Sequence, residues 1–283
     1  MNDLFLFYAV FLVQIGFISY YLPKIILQRF NRVMQECPPD KYPKLYNKSA
    51  DYYELGATIY RKLNTAIVTI GLLILLFSIY QGKQFVRELE FVFVLGYFFL
   101  QMLPVVLMEL SSFSYFKEMR ALNKKSTRKA EIKQRKLFDF VSKKLFFSAV
   151  FSNLFCVLYV FFLDDFILSW KGDTFAIFLT LLFMNVLYFF IVRFNLYGKK
   201  QDPYQSSEDR AKQTAQVVSS LVKISLIASL FLTITLTIEF YRLDAFKAAF
   251  LSLYLQLIVW ISMVNVLKNI SVDEINFEVY KAD

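Results

Sequence analysis

Five side-chain amides lie near the middle of long apolar runs of the sequence: Gln14, Gln101, Asn153, Asn185 and Gln256. An amide surrounded by hydrocarbon loses its water and must find another hydrogen-bond partner, so we expect these side chains to face the interior of a helix bundle. They could form a polar site or a narrow water path at the centre of a bilayer. They could equally form interhelical hydrogen bonds worth about 0.6–2 kcal/mol each, which is the interpretation we favour.

Ionisable side chains are scarce inside these apolar runs. Glu109 lies near the inner end of the third run and, with lysines of the following loop, could act as an acid or base on lipid headgroups. Histidine, the commonest general base and metal ligand, is absent from the sequence. The sequence also lacks a phosphate-binding glycine-rich loop, a cluster of metal ligands and a nucleophile elbow. We therefore expect no cofactor and no metal, and we favour a non-enzymatic function over an enzymatic one.

A strongly basic segment runs from Lys117 to Lys144, with eleven lysines and arginines against three acidic residues. Cations close to a membrane attract anionic lipid by about 1 kcal/mol each. The predicted contacts for anionic lipid or an acidic partner are Lys124, Lys125, Arg128, Lys129, Lys133, Arg135 and Lys136. The net charge of +9 could also indicate nucleic acid, but the cations are concentrated in alternate loops, as membrane orientation requires, so no nucleic acid is expected.

The composition is that of a membrane protein. Hydrophobic residues make up 57% of the chain, against about 45–50% in soluble domains. The apolar runs have roughly the 20 residues that a helix needs to cross a bilayer. The sequence predicts an all-α, polytopic integral membrane helical bundle that forms a single transmembrane domain over residues 1–283. Its seven predicted spans are 4–22, 63–80, 91–110, 145–163, 175–192, 217–240 and 245–266.

The distribution of charge predicts the orientation. Loops 23–62, 111–144 and 193–216 are basic, whereas the turns between them are balanced or acidic, so we expect an outward N-terminus and an inward C-terminus. Apolar residues at helical spacing after Pro23 and around 137–145 predict amphipathic interfacial helices on the cytoplasmic side. The residue usage indicates a multi-pass protein of a bacterial inner (plasma) membrane.

A loop rich in proline and tyrosine, residues 37–46, separates the first two spans. Its three prolines are incompatible with a continuing helix. The loop could be a docking element for a partner. We favour a stiff connector whose tyrosines pack at the level of the lipid headgroups.

Three functions follow from these features. We expect a non-enzymatic membrane subunit or scaffold that binds lipid and a partner protein or a second copy. It should co-purify with another protein and tolerate single changes to Ala at Gln14, Gln101, Asn185 or Gln256. The alternative is a channel or uncoupled transporter for a small polar solute, lined by the amides, whose flux falls when Gln101 or Gln256 becomes Leu. The third is a lipid-modifying enzyme that loses turnover on Glu109→Gln. Coupled transport is disfavoured because no carboxylate need lie at the midplane.

Overall fold

The computed structural model describes residues 2–81, 83–123, 135–163 and 173–282. Within these ranges the regular elements are helices. Seven helices are long and apolar enough to span a membrane, which confirms the predicted helical class and the predicted number of spans. They are Leu4–Glu36, Ala50–Gln81, Val92–Ala121, Lys143–Leu163, Phe175–Tyr197, Ser207–Phe240 and Asp244–Asn269.

The first helix is continuous well past the predicted end of the first span. Helix α1 (Asn2–Gly16) passes through a π-helical turn (Phe17–Tyr21) into α2 (Leu22–Glu36). Pro23 does not break it, because Pro23 stands in the first turn after the wider π-helical turn. The segment after Pro23 therefore continues the first helix. At 1.5 Å per residue the continuous helix is longer than the ~30 Å of hydrocarbon, so part of it must extend beyond the apolar layer of any membrane it crosses.

The next two helices also extend beyond their apolar cores. Helix α3 covers Ala50–Gln81 and α4 covers Lys83–Leu122, with Pro104 inside α4. Hydropathy marks only the part of a helix that can lie in hydrocarbon, whereas backbone hydrogen bonding continues into polar sequence. The predicted spans 63–80 and 91–110 therefore lie inside longer helices.

Helices α5 (Lys143–Leu163), α6 (Asp173–Tyr197) and α7 (Ser207–Phe240) follow. Ser142 caps α5, since its Oγ accepts the backbone N–H of Leu145 at 3.2 Å. The interfacial helix expected before α5 is instead a single 3-10 turn, Leu137–Asp139. The Asp139 carboxylate closes this turn by accepting the backbone N–H of Lys136 at 3.0 Å. The two local caps divide the amphipathic pattern into a turn and a new helix start.

The last candidate span is also interrupted by a π-helical turn. Helix α8 (Lys247–Val259) leads through the turn Trp260–Val264 into the short α9 (Asn265–Asn269). Two 3-10 turns, Val272–Glu274 and Phe277–Tyr280, follow in the tail.

The chain divides into two compact units. The first contains α1 to α4, residues 200–210, α8, α9 and the tail; the second contains α5, α6 and α7 from Ala211 onward. One apolar core of the first unit packs the two π-helical segments together through Ile18, Leu22, Val259 and Val264. Two apolar cores lie among the described residues of the second unit. One is Val141, Ala149, Leu196, Val218 and Val222, and the other is Cys156, Val160 and Leu181.

Candidate functional site: two buried polar networks

The first unit contains a network of amides and hydroxyls, here called the glutamine network: Gln14, Ser19, Gln101, Ser252 and Gln256. Gln14 Nε2 donates to Gln101 Oε1 at 2.9 Å. Ser252 Oγ donates to Gln14 Oε1 at 2.6 Å. These three side chains are at most 1% exposed, so they form a fully buried contact between α1, α4 and α8.

The remaining bonds extend the glutamine network in two directions. Gln101 Nε2 donates to Ser19 Oγ at 2.8 Å and, at 3.3 Å, to the backbone carbonyl of Gln14. Gln256 Nε2 donates to the backbone carbonyl of Val10 at 3.2 Å and to Ser252 Oγ at 3.3 Å. Each of the three glutamines therefore donates to another helix of the unit.

The π-helical turn explains how Ser19 reaches this network. In a regular α-helix, residues five apart point about 140° away from each other. The Phe17–Tyr21 turn closes with the Leu22 N–H donating to the Phe17 carbonyl, a wider i to i+5 turn. Ser19 therefore lies on the same buried side as Gln14, and both contact Gln101.

Tyr97 packs one helical turn before Gln101 and fixes α4 against α3. Its hydroxyl donates to the backbone carbonyl of Ile67 at 2.9 Å. A Cβ at Gly71 would lie 2.1 Å from the Tyr97 hydroxyl oxygen and 3.0 Å from a side-chain carbon of Ile15. Gly71 is therefore required for the close approach of the tyrosine ring to α3.

The second unit contains a closed ring of hydrogen bonds, here called the asparagine ring: Asn153 on α5, Asn185 on α6 and Ser225 on α7. Asn185 Nδ2 donates to Asn153 Oδ1 at 2.9 Å, and Asn153 Nδ2 donates to Ser225 Oγ at 3.1 Å. Ser225 Oγ completes the ring by donating to Asn185 Oδ1 at 2.7 Å. Each amide nitrogen also donates to the carbonyl four residues earlier in its own helix, at 2.8 Å.

Two hydroxyl pairs also join α5 and α7. The Oγ atoms of Ser152 and Ser229 lie 2.7 Å apart, and the Tyr159 hydroxyl lies 2.9 Å from Thr237 Oγ1. Small hydroxyl residues let two helices approach closely while satisfying each other's polar groups. The pairs therefore reinforce the contact that the asparagine ring makes.

The structure thus distributes the five predicted amides between the two units. Gln14, Gln101 and Gln256 share the first network, and Asn153 and Asn185 share the second. Sequence reasoning missed the serines that complete both networks, because serine is common in apolar helices. One available signal was the position of Ser252 four residues before Gln256, on the same helix face.

Glu109 belongs to neither network. It is exposed on α4, among the exposed apolar side chains of Val106, Leu110 and Phe113. Its backbone carbonyl accepts the Ser112 hydroxyl at 2.6 Å. The proposed role of this carboxylate in lipid chemistry stays a prediction.

Most of the predicted lipid-binding cations lie outside the described residues: Lys124, Lys125, Arg128, Lys129 and Lys133. Arg135 is half-buried and Lys136 is exposed at the start of the 3-10 turn before α5. Nearby, Lys143 Nζ lies 5.9 Å from the centre of the Phe138 ring. The described end of the basic segment therefore presents cations beside an aromatic side chain.

The loop rich in proline and tyrosine folds onto its own unit. The Tyr46 hydroxyl donates to the Cys37 carbonyl at 2.7 Å, and the Tyr115 hydroxyl donates to the Leu45 carbonyl at 2.6 Å. Burial raises the pKa of Tyr46 to about 12 and also raises the pKa of the Cys37 thiol. The loop therefore uses these polar groups for contacts within the unit.

The class that this fold defines is an all-helical protein with seven helices able to span a membrane. Within the described ranges, no group of three or more Cys, Asp and Glu residues is arranged to hold a metal ion. No family model, no curated protein and no solved structure matches this chain.

Proposed function

We propose that this protein is a non-enzymatic membrane subunit or scaffold, whose polar interior holds its helices together and whose surface binds lipid and a partner protein or a second copy. The observation that supports this is the state of the five mid-span amides. Every amide nitrogen donates to a protein acceptor, in the glutamine network or in the asparagine ring. A solute path would instead need such groups to face open space.

The energetics agree with a supporting role for the networks. Side-chain hydrogen bonds between membrane helices contribute on average about 0.6 kcal/mol each, but a buried amide deprived of its partner costs about 1–3 kcal/mol. The networks therefore fix which helices are neighbours more than they add stability. A fixed helix arrangement is what a subunit needs to present a constant surface.

The outer surface of α6 suits lipid or another protein. Phe183, Phe189, Phe190 and Phe194 are each at least 57% exposed. Large aromatic side chains are enriched where proteins contact each other. In a membrane the same side chains contact lipid tails at no cost.

We further propose an outward N-terminus, an inward C-terminus and a place in a bacterial inner membrane. The support is the excess of lysine and arginine in loops 23–62, 111–144 and 193–216. The described end of the basic segment, Arg135 and Lys136, would then contact anionic headgroups on the cytoplasmic face.

Purification in mild detergent followed by native mass spectrometry tests the proposal. We expect a second protein or a second copy at fixed stoichiometry, and liposomes that do not take up small polar solutes. The complex should persist in Gln256→Leu and in the control Thr180→Val, whose hydroxyl donates only within its own helix, to the Ala176 carbonyl. A lone chain that conducts a solute, with flux reduced by Gln256→Leu alone, would overturn the proposal.

One observation favours the alternative of a channel or uncoupled transporter. The glutamine network lies beside a π-helical turn that includes Ser19, and α8, which carries Ser252 and Gln256, ends in another. Such turns are frequent at functional sites. In this alternative, conversion of either π-helical turn to α-helix would open the glutamine network to a solute. Gln101→Leu would then reduce the flux of a small polar solute into liposomes. Unchanged flux in that variant would remove this support.

A further inference from the structure

An aromatic surface forms where the two π-helical turns of the first unit meet. The rings of Phe17 and Trp260 stack with centres 6.0 Å apart and planes 26° apart, and the ring of Tyr21 stacks on Phe17 at 5.8 Å. Trp260 is 42% exposed, and Phe17 and Tyr21 are half-buried. One side of this aromatic surface is therefore exposed.

A lysine ammonium lies directly over this aromatic surface. Lys268 Nζ is 4.9 Å from the centre of the Trp260 ring and 5.9 Å from that of the Tyr21 ring. Twenty uncharged residues, 248–267, precede Lys268, which places it at the end of the apolar run. Helical side chains lean toward the N-terminus, so the ammonium lies back over the apolar part of the helix. It is held at the level where Trp and Tyr rings meet lipid headgroups.

A second cation lies close by in the sequence. Lys24 is at the start of α2, three residues after Tyr21 of the π-helical turn, and its side chain is exposed. Within the described residues neither Lys24 nor Lys268 forms an ion pair. Among the described residues, therefore, no carboxylate neutralises either ammonium group.

Lys268 is also not needed to close its own helix. A lysine near a helix C-terminus commonly binds the last free carbonyls. Here Arg29 of α2 does so instead, because its Nη1 donates to the Leu267 carbonyl at 3.0 Å and also to the Ile270 carbonyl. The ammonium of Lys268 is left available for an anion.

We propose that Phe17, Tyr21, Trp260, Lys24 and Lys268 form a binding site for an anionic phospholipid. The phosphate binds the two ammonium groups, and an acyl chain lies along the exposed edge of Trp260. Charge decides the occupant, since two unpaired cations at the end of an apolar run attract a lipid with a net negative headgroup over a zwitterionic one. This site is independent of the scaffold function, because a transporter or an enzyme could bind lipid in the same place.

Quenching of Trp260 fluorescence tests the site directly. The chain has two tryptophans, so Trp170→Phe leaves Trp260 as the only one. The full chain is reconstituted in bilayers of phosphatidylcholine mixed with phosphatidylglycerol, with bromine on the acyl chains of either lipid in turn. We expect brominated phosphatidylglycerol to quench Trp260 with an association constant about fivefold higher per lysine than brominated phosphatidylcholine.

Two variants give this measurement its control. Lys268→Gln should lower the preference for phosphatidylglycerol about fivefold. Lys62→Gln, which changes another exposed lysine of the same unit, should keep it. Equal quenching by the two lipids, or a preference that Lys268→Gln does not lower, would overturn the proposal. Excess inorganic phosphate should leave the preference for phosphatidylglycerol unchanged. Loss of that preference in excess phosphate would mean that the site binds a free anion instead of a lipid.

Discussion

The side chain of Gln14 donates to the side chain of Gln101 at 2.9 Å, although 87 residues separate them in the sequence. Both side chains are buried, with 0% and 1% of their surface exposed. This bond joins helix α1 to helix α4. It also makes each amide dependent on the other, because neither has water as an alternative partner.

The costs of replacing the two members of this pair should not add. We expect Gln101→Leu to lower the free energy of unfolding by about 1–3 kcal/mol, because it leaves the buried Gln14 amide nitrogen without its acceptor. The double variant with Gln14→Leu should cost less than the sum of the single changes. Reversible unfolding in mixed micelles measures the three values. Strict additivity would show that the bond makes no specific contribution.

The space at Gly71 should be essential for the packing of Tyr97. Gly71→Ala places a methyl group 2.1 Å from the tyrosine oxygen, so we expect a loss of about 1–3 kcal/mol, as in other overpacked cores. Gly96→Ala is the matched control, because a Cβ there has no neighbour within 4 Å and alanine favours helix by about 1 kcal/mol over glycine. Thermal unfolding in detergent compares the two. An equal effect of both changes would contradict the proposed steric cause.

The asparagine ring should respond to the loss of its smallest member. Ser225→Ala removes the donor to Asn185 and one acceptor of Asn153, so we expect a loss of about 1–2 kcal/mol. Thr180→Val removes a hydroxyl that bonds only within α6 and should be close to neutral. Denaturant titration of both variants measures the difference. If Ser225→Ala is also neutral, the ring does not hold these helices together.

The thiol of Cys37 should be unusually slow to alkylate. Burial, followed by the nearby Glu36 and Glu278, raises its pKa, so at a given pH below that value a smaller fraction is thiolate than in the unfolded chain. By the same linkage, the contribution of this thiol to folding is present at neutral pH and falls as the pH rises through the folded pKa. In a Cys156→Ala background, the rate of reaction with iodoacetamide between about pH 7 and about pH 10 gives the midpoint.

Two comparisons separate the pKa of Cys37 from simple shielding. The midpoint in the folded protein should lie above that of the denatured protein. Tyr46→Phe removes the hydroxyl that donates to the Cys37 carbonyl and should increase the rate. Identical midpoints in folded and denatured protein would mean that the thiol is not desolvated.

The orientation can be measured with enzyme fusions. We expect alkaline phosphatase to be inactive when fused after Lys136 and active when fused after Tyr241, because the first position follows the basic segment and the second lies in a short outer turn. The reverse pattern would mean that every loop faces the side of the membrane opposite to the one predicted. Asn47-Lys48-Ser49 and Asn269-Ile270-Ser271 are acceptor sequences for N-glycosylation, and both are expected inside. A glycan on either would also contradict the orientation.

The number of spans could be derived from the sequence because it depends on a local property, the length of an apolar run. The ends of the helices could not. Helix α4 extends to Leu122, well beyond the predicted end at residue 110, since a helix continues wherever its backbone bonds are not interrupted. Conversely, the amphipathic pattern around 137–145 predicts one helix, but the structure has a 3-10 turn there, because Ser142 caps the start of a new helix.

By itself the sequence determined that the chain is helical, that seven segments are apolar enough to cross a membrane and that five amides inside them need partners. Only the tertiary structure decided that Gln14 pairs with Gln101 and Asn153 with Asn185. It also decided that Trp260 meets Phe17 beneath Lys268. The physical reason is that a partner depends on which helices are neighbours and how each is rotated about its axis. Two π-helical turns set that rotation in the first and last spans, and hydrophobic periodicity gives no signal for them.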